Sequence, residues 1–178
     1  LYSISQKLKS YFSKYKGIKI IYSDCNVPGE GEHKFISYMR TIQNNHLTHV
    51  IYGLDADLMM LAMASNRNNI YLLREAIEFG KKVDNKLLYL DIDLLKSKLI
   101  TTLRIKINDK ENGFYLDNHN SLRMIDDYIF LCFLLGNDFL PHNLSIDLRH
   151  NGHDILLDAY LDNYMISKDF LVDSKKLK

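Results

Sequence analysis

The sequence has no tryptophan, two prolines and two cysteines among its 178 residues. Cys25 and Cys132 stand far apart without CxxC spacing, so neither a zinc site nor a disulfide framework is indicated. The seven histidines show no zinc-ligand spacing either. An excess of charge of one sign is also missing. Lys plus Arg number 23 against 22 Asp plus Glu, a balance of +1, which excludes a module held on nucleic acid mainly by bulk charge. No apolar run approaches the roughly 20 residues that cross a membrane, and the first residues lack the pattern of a signal peptide. The expectation is a soluble, intracellular protein without a membrane partner, with nothing to separate cytoplasm from nucleus. Scarce Pro and Ala beside abundant Ile, Lys and Asn reflect AT-rich coding. The predominance of Lys over Arg therefore says little about partners. The chain opens on Leu1 rather than Met, and the expectation is a piece of a longer protein.

What is present is an ordinary globular composition, 47% apolar and 25% charged, of a length that suits one domain or part of one. Ile4, Leu8, Tyr11, Phe12 and Tyr15 recur at helical spacing, and Gly17 is placed to end that helix. Residues 18–22 (IKIIY) form a β-branched run that predicts a buried strand, and residues 23–31 (SDCNVPGEG) are turn chemistry. Phe35, Ile36, Met39 and Ile42 mark a second amphipathic helix. Residues 49–52 predict a strand, residues 58–64 (LMMLAMA) a buried helix, and residues 70–73 a third strand. This alternation predicts an α/β fold with a parallel sheet covered by helices, whose ligand site lies beyond the carboxyl ends of the strands. Residues 75–86 read as a loop or hairpin, residues 91–103 as a helix capped by Asp91, and residues 108–120 as an exposed excursion. Further helices are predicted over 121–135 and 154–164.

Five carboxylates stand out: Glu30, Glu32, Asp55, Asp57 and Asp138. Glu30 and Glu32 flank Gly31 where a loop becomes a helix, and Asp55 and Asp57 follow a strand. In an extended segment residues i and i+2 point to one side, so each pair can reach one site. Asp138 follows Gly136 and Asn137 at the carboxyl end of an apolar helix, against the helix dipole, a position eased by a facing cation. Carboxylates gathered without matching Lys or Arg repel one another unless protons or metal ions offset them. Hard oxygen ligands suit Mg²⁺ or Mn²⁺, and a pair of such ions serves phosphodiester cleavage. Each motif also has an ordinary explanation. A D-x-D after a strand arises often by chance, E-G-E is common as a dipole-favoured helix start, and G-N-D is a usual helix end.

Taken in order, residues 27–34 (VPGEGEHK), 51–58 (IYGLDADL), 73–75 (LRE) and 136–141 (GNDFLP) resemble the XRN family of 5′→3′ exoribonucleases. The resemblance runs from about residue 18 to residue 154. It implies an α/β nuclease fold of the PIN and flap-endonuclease kind, a parallel sheet flanked by helices. It also implies that residues 1–178 are the C-terminal portion of such a nuclease domain, the upstream half of the catalytic core being absent. Seven acidic residues of the family hold divalent metal, and five match Glu30, Glu32, Asp55, Asp57 and Asp138. The implied reaction removes nucleoside monophosphates from RNA bearing a 5′-monophosphate, with two Mg²⁺ or Mn²⁺ ions and with Glu32, Asp55 and Asp57 in catalytic roles. The family's other two acidic residues, and its 5′-phosphate-reading residues, belong to an upstream segment. A stacking tryptophan belongs downstream. The fragment by itself is therefore expected to cleave RNA poorly.

Lys34 is a candidate substrate contact, or equally a solvated lysine. Arg74 and Glu75 are expected to pair with each other, His142 to pack or cap, Asp24 to serve a turn, and the two cysteines to be unreactive thiols. Two alternatives to the exoribonuclease stay open. One is a related nuclease acting on DNA flaps or ends. The other is a non-catalytic RNA-binding scaffold that keeps the nuclease fold.

Overall fold

A computed structural model describes residues 2–24, 26–44, 46–53, 55–78, 81–137, 140–141, 146 and 148–172. The chain divides into two compact units, Leu1–Ile42 and Gln43–Lys178. The first contains two helices, α1 (Tyr2–Phe12) and α2 (Gly31–Thr41), the latter with Ile36 and Met39 buried. The stretch between them corrects the expected strand. Residues 18–22 are in no strand and are exposed, Ile18 at 63% and Ile21 at 56%. A β-branched run becomes a strand only when a neighbour accepts and donates its backbone hydrogen bonds, and the described residues of this unit offer helices alone. Gly17 does take a left-handed φ of +83°, but α1 has already ended at Phe12.

The second unit is built on a three-stranded sheet, β1 (His49–Tyr52), β2 (Ile70–Glu78) and β3 (Lys81–Asp91), in the order β1-β2-β3. β1 and β2 are parallel, with His49 opposite Ile70 and Tyr52 opposite Leu73, and they are joined through α3 (Asp57–Ala64) as a βαβ unit. β3 returns antiparallel to β2, with an irregularity between Glu75 and Ile77. Residues 75–78 and 81–86 thus lie in antiparallel strands, and the sheet is mixed rather than wholly parallel. The fold is α/β, as expected.

Asp91 ends β3 and caps α4 (Ile92–Lys110), its carboxylate accepting from the Leu94 N–H at 3.0 Å. That helix runs further than its apolar pattern suggested, so the exposed excursion shrinks to the short link before α5 (Asn118–Leu134). Asp117 caps α5, accepting from the Asn120 N–H at 2.7 Å. A short 3₁₀ turn (Leu148–His150) leads into α6 (Gly152–Ser167). The core between sheet and helices collects Ile51, Leu58, Ile70, Leu72, Ile92, Leu103, Ile129 and Leu161, all under 10% exposed. α3 packs on α4 and α5, and α5 on α6. No described helix is long and apolar enough to cross a membrane.

One acidic side chain is sealed inside this core among the described residues. Asp127, in the middle of α5, is 0% exposed and accepts three hydrogen bonds. They come from the Tyr160 hydroxyl of α6 at 2.7 Å and from the N–H groups of Leu171 and Val172 at 3.0 and 2.8 Å. Arg123, one turn earlier, lies 4.0 Å from the ring centre of Phe170. The carboxylate therefore fastens both α6 and the segment after it to α5. Asp127→Ala leaves one buried and two part-buried donors without their acceptor and is expected to cost about 2–3 kcal/mol. Tyr160→Phe removes one donor and is expected to cost about 1–1.5 kcal/mol. Thermal melts of the two variants should rank in that order, the alanine falling by at least about twice as much.

Candidate active site

β1 delivers its carboxyl end to the site. The Gly53 N–H continues the ladder to the Leu73 carbonyl at 3.1 Å, and α3 begins four residues later at Asp57. A Cβ on Gly53 would lie 2.3 Å from Cδ1 of the buried Leu58, so a side chain there would require the Leu58 methyl to move aside. Ala56 is already in helical backbone conformation and Asp57 is the first residue of α3. The two aspartates are thus spaced by a helical residue, which corrects the expected extended geometry. Asp55 is exposed and Asp57 half-buried, the latter at a helix N-terminus where the dipole favours negative charge.

Both aspartates line a cavity of about 490 Å³. Its opposite wall is the carboxyl end of α5, which presents Tyr128, Cys132 and Asn137, joined by His153 from the start of α6. Met60, Phe133, Leu135 and Leu148 give it apolar surface. α5 stops because Gly136 adopts φ +91°, its N–H bonding to the Phe133 carbonyl at 3.1 Å. The Asn137 side chain then accepts from the Leu140 N–H at 2.7 Å, while the Asn137 N–H donates to the Leu140 carbonyl at 3.0 Å. This reciprocal pair fixes the ends of the turn. Asp138 lies outside the described residues, as do Cys25 and His142.

The electrostatics of the cavity are one-sided. Tyr128 and His153 share a hydrogen bond of 3.1 Å, with their rings edge to face at 5.5 Å. Burial, aided by Cys132, pushes the Tyr128 phenol above its usual range, and burial also pushes the Cys132 thiol up. Phenol and thiol are therefore neutral at physiological pH. Among the described residues the lining includes no Lys or Arg beside Asp55 and Asp57.

Glu30 and Glu32 belong to the first unit. Glu30 is exposed and precedes α2 with φ −76° and ψ 157°, making no side-chain cap bond, while Glu32 is half-buried in the first turn. Lys34 Nζ donates to the Asp24 carbonyl at 3.5 Å, which gives this lysine a loop-closing role. Asp24 is the expected turn residue, accepting from the Asn26 N–H at 3.0 Å. Arg74 and Glu75 are neighbours on a strand and point to opposite faces. In place of the expected pair, Glu75 accepts a hydrogen bond from the Tyr52 hydroxyl. Among the described residues, no three His, Cys, Asp or Glu side chains are grouped closely enough to hold a metal ion.

Tyr128 and His153 escaped the sequence reading. The spacing of Tyr128 and Cys132 ahead of Gly136 places them on one face of α5, but no pattern linked that face to a histidine 25 residues away.

Comparison with known proteins adds independent information. Residues 1–76 match the family description "XRN 5'-3' exonuclease N-terminus", and residues 118–178 match "Xrn1 helical domain". The chain is 34% identical to a 5'-3' exoribonuclease 2 of Arabidopsis thaliana over 92% of its length. It is 35% identical to that of Yarrowia lipolytica over 88%, and 32% identical to that of Candida albicans over 99%. It spans 19%, 16% and 20% of those relatives, about a fifth of their length.

Because burial raises the Cys132 pKa, the reactive thiolate is scarce until the pH exceeds that of a free cysteine's midpoint. In a Cys25→Ser background, Cys132 is expected to react with a disulfide reagent at pH 8 more slowly than free cysteine. The rate should climb with pH along a curve displaced upward, and stopped-flow absorbance would record it.

Proposed function

Because the chain belongs to the XRN family of 5′→3′ exoribonucleases, we propose that it forms part of the catalytic core of such an enzyme. In this reading the substrate is RNA with a 5′-monophosphate, and nucleoside monophosphates are released from that end. The observation that carries the reading is the position of Asp55 and Asp57 on the wall of one cavity, at the carboxyl end of a parallel strand, with no Lys or Arg among the described lining residues.

Two carboxylates on a wet wall without a cation fit Mg²⁺ or Mn²⁺, since Mg²⁺ takes one or two protein carboxylates, keeps several waters and accepts substrate phosphates. Asp55 and Asp57 would hold the ion, with Glu30, Glu32 and Asp138 as the further ligands implied by the family motifs. When bound, such ions supply an activated water and offset charge on the attacking and leaving oxygens. The chain's own residues bind and orient. The cavity is of a size common for small-ligand sites, about 300–1,000 Å³. Met60, Phe133 and Leu135 give it apolar surface beside the carboxylates. The Tyr128 hydroxyl stays protonated and can donate to an oxygen of the bound nucleotide. Asn137, set by its turn with Leu140, offers an amide on the same wall.

The test is cleavage of RNA carrying either a 5′-monophosphate or a 5′-hydroxyl, in Mg²⁺, with products resolved by size. It is run on this chain alone and on a chain that also carries the upstream acidic segment the resemblance implies. The longer protein is expected to degrade only the monophosphate RNA, to single nucleotides, and the chain alone to do so poorly. Asp57→Ala should lower that rate at least about a hundredfold while leaving the melting temperature and RNA binding nearly unchanged. Persistent binding without cleavage of either RNA would instead favour a scaffold, and cleavage of DNA ends would favour the flap-nuclease alternative.

A further inference from the structure

A second concavity, of about 500 Å³, opens along α4 and the first turns of α5. Asn68, Asp93, Lys96, Thr101, Arg104 and Asn118 are among its lining residues. Its charges do not cancel, two cations standing against one carboxylate. That carboxylate is already engaged, since Asp93 Oδ2 accepts from the Asn69 N–H at 2.7 Å. The Arg104 guanidinium is held by one nitrogen only. Nη2 donates to Asn118 Oδ1 at 3.1 Å and to the Ser121 hydroxyl at 3.0 Å, which leaves Nε and Nη1 without a partner among the described residues. These two bonds fix the plane of the guanidinium in advance, which favours binding of a phosphate or carboxylate.

Lys96 is the more telling group. It is half-buried and, among the described residues, makes neither a hydrogen bond nor an ion pair. Asp93 and Asp126 attract it only from longer range, and burial lowers its pKa. An ammonium with three donors, partly stripped of water and given no acceptor, is costly unless something else supplies one. An anion in the groove would.

The shape says which anion. Lys96 and Arg104 lie two turns apart on the same face of α4, about 12 Å along its axis at 1.5 Å per residue. The cations therefore mark a strip rather than a point. Neutral amides of Asn68 and Asn118 lie beside that strip. Both concavities also share α5, the groove using Asn118 and Leu122 and the cavity Tyr128, Cys132 and Phe133, about 9–22 Å further along the helix at 1.5 Å per residue. We propose that this groove is a phosphate-binding strip that holds the backbone of a single RNA strand at a distance from the place where it is cut. The proposal rests on the exoribonuclease reading for the identity of the strand, and on Lys96 and Arg104 for the site.

The experiment uses the chain in EDTA, so that nothing is cleaved. Anisotropy of a labelled single-stranded RNA with a 5′-hydroxyl is followed across a salt series for the wild type, Lys96→Gln, Arg104→Gln and the double variant. Inorganic phosphate is titrated separately against amide NMR spectra, which also verify folding. Each single variant is expected to weaken RNA binding about threefold to tenfold. The slope of log affinity against log salt should fall by about 0.7 for each phosphate that a variant no longer neutralises. Phosphate should shift α4 amides in the wild type and not in the double variant. Unchanged affinity and slope in variants whose wild type binds RNA would overturn the groove and leave the nuclease reading intact. Phosphate shifts without any RNA binding would overturn the assignment to RNA and count against the nuclease reading as well.

Discussion

A carboxylate with no water around it has to be fully hydrogen-bonded, and Asp127 imposes that condition at the centre of α5. Its three donors come from two different segments, the Tyr160 side chain on α6 and the backbone of residues 171–172. Apolar packing alone would let α5 and α6 slide and rotate with modest loss. A buried carboxylate does not, because any displacement leaves a charge or a donor unmatched. α5 and α6 are thereby held in one relative position. That position brings Tyr128 of one helix to His153 of the other. The wall of the cavity is thus set by a polar anchor that lies on a different face of the same helix.

Against this fixed wall the chain places the end of β1. The parallel pairing of β1 with β2 orients the strand, Gly53 continues its ladder, and α3 starts four residues later with Asp57. The result is a division of charge. Groups on the α5 side are kept neutral by burial, and those on the β1 side are carboxylates open to water. The described lining holds no Lys or Arg. The α4 groove has the reverse character, with cations in excess of carboxylates.

Much of this was legible in the residues. The cap at Asp91, the helix end at Gly136 and the turn at Asp24 are local hydrogen-bonding events that follow from side-chain type and a few neighbours. The βαβ unit and the aspartates at its edge follow from hydrophobic periodicity. Residues 18–22 misled for the complementary reason. A strand is completed by a partner, and a β-branched run carries no information on whether one is near. The expected Arg74–Glu75 pair failed because strand geometry sends neighbours to opposite faces, and Glu75 is met by Tyr52 from the adjacent strand.

The sequence by itself therefore determined the α/β class and the family, because these rest on local propensity and on motifs of contiguous residues. Tertiary structure alone decided that Asp127 is an anchor, that Tyr128, Cys132 and His153 face the aspartates, and that Lys96 and Arg104 share a groove. Each of those facts joins side chains across different elements or sets how deeply water reaches them. Burial and proximity of that kind arise only when the elements pack.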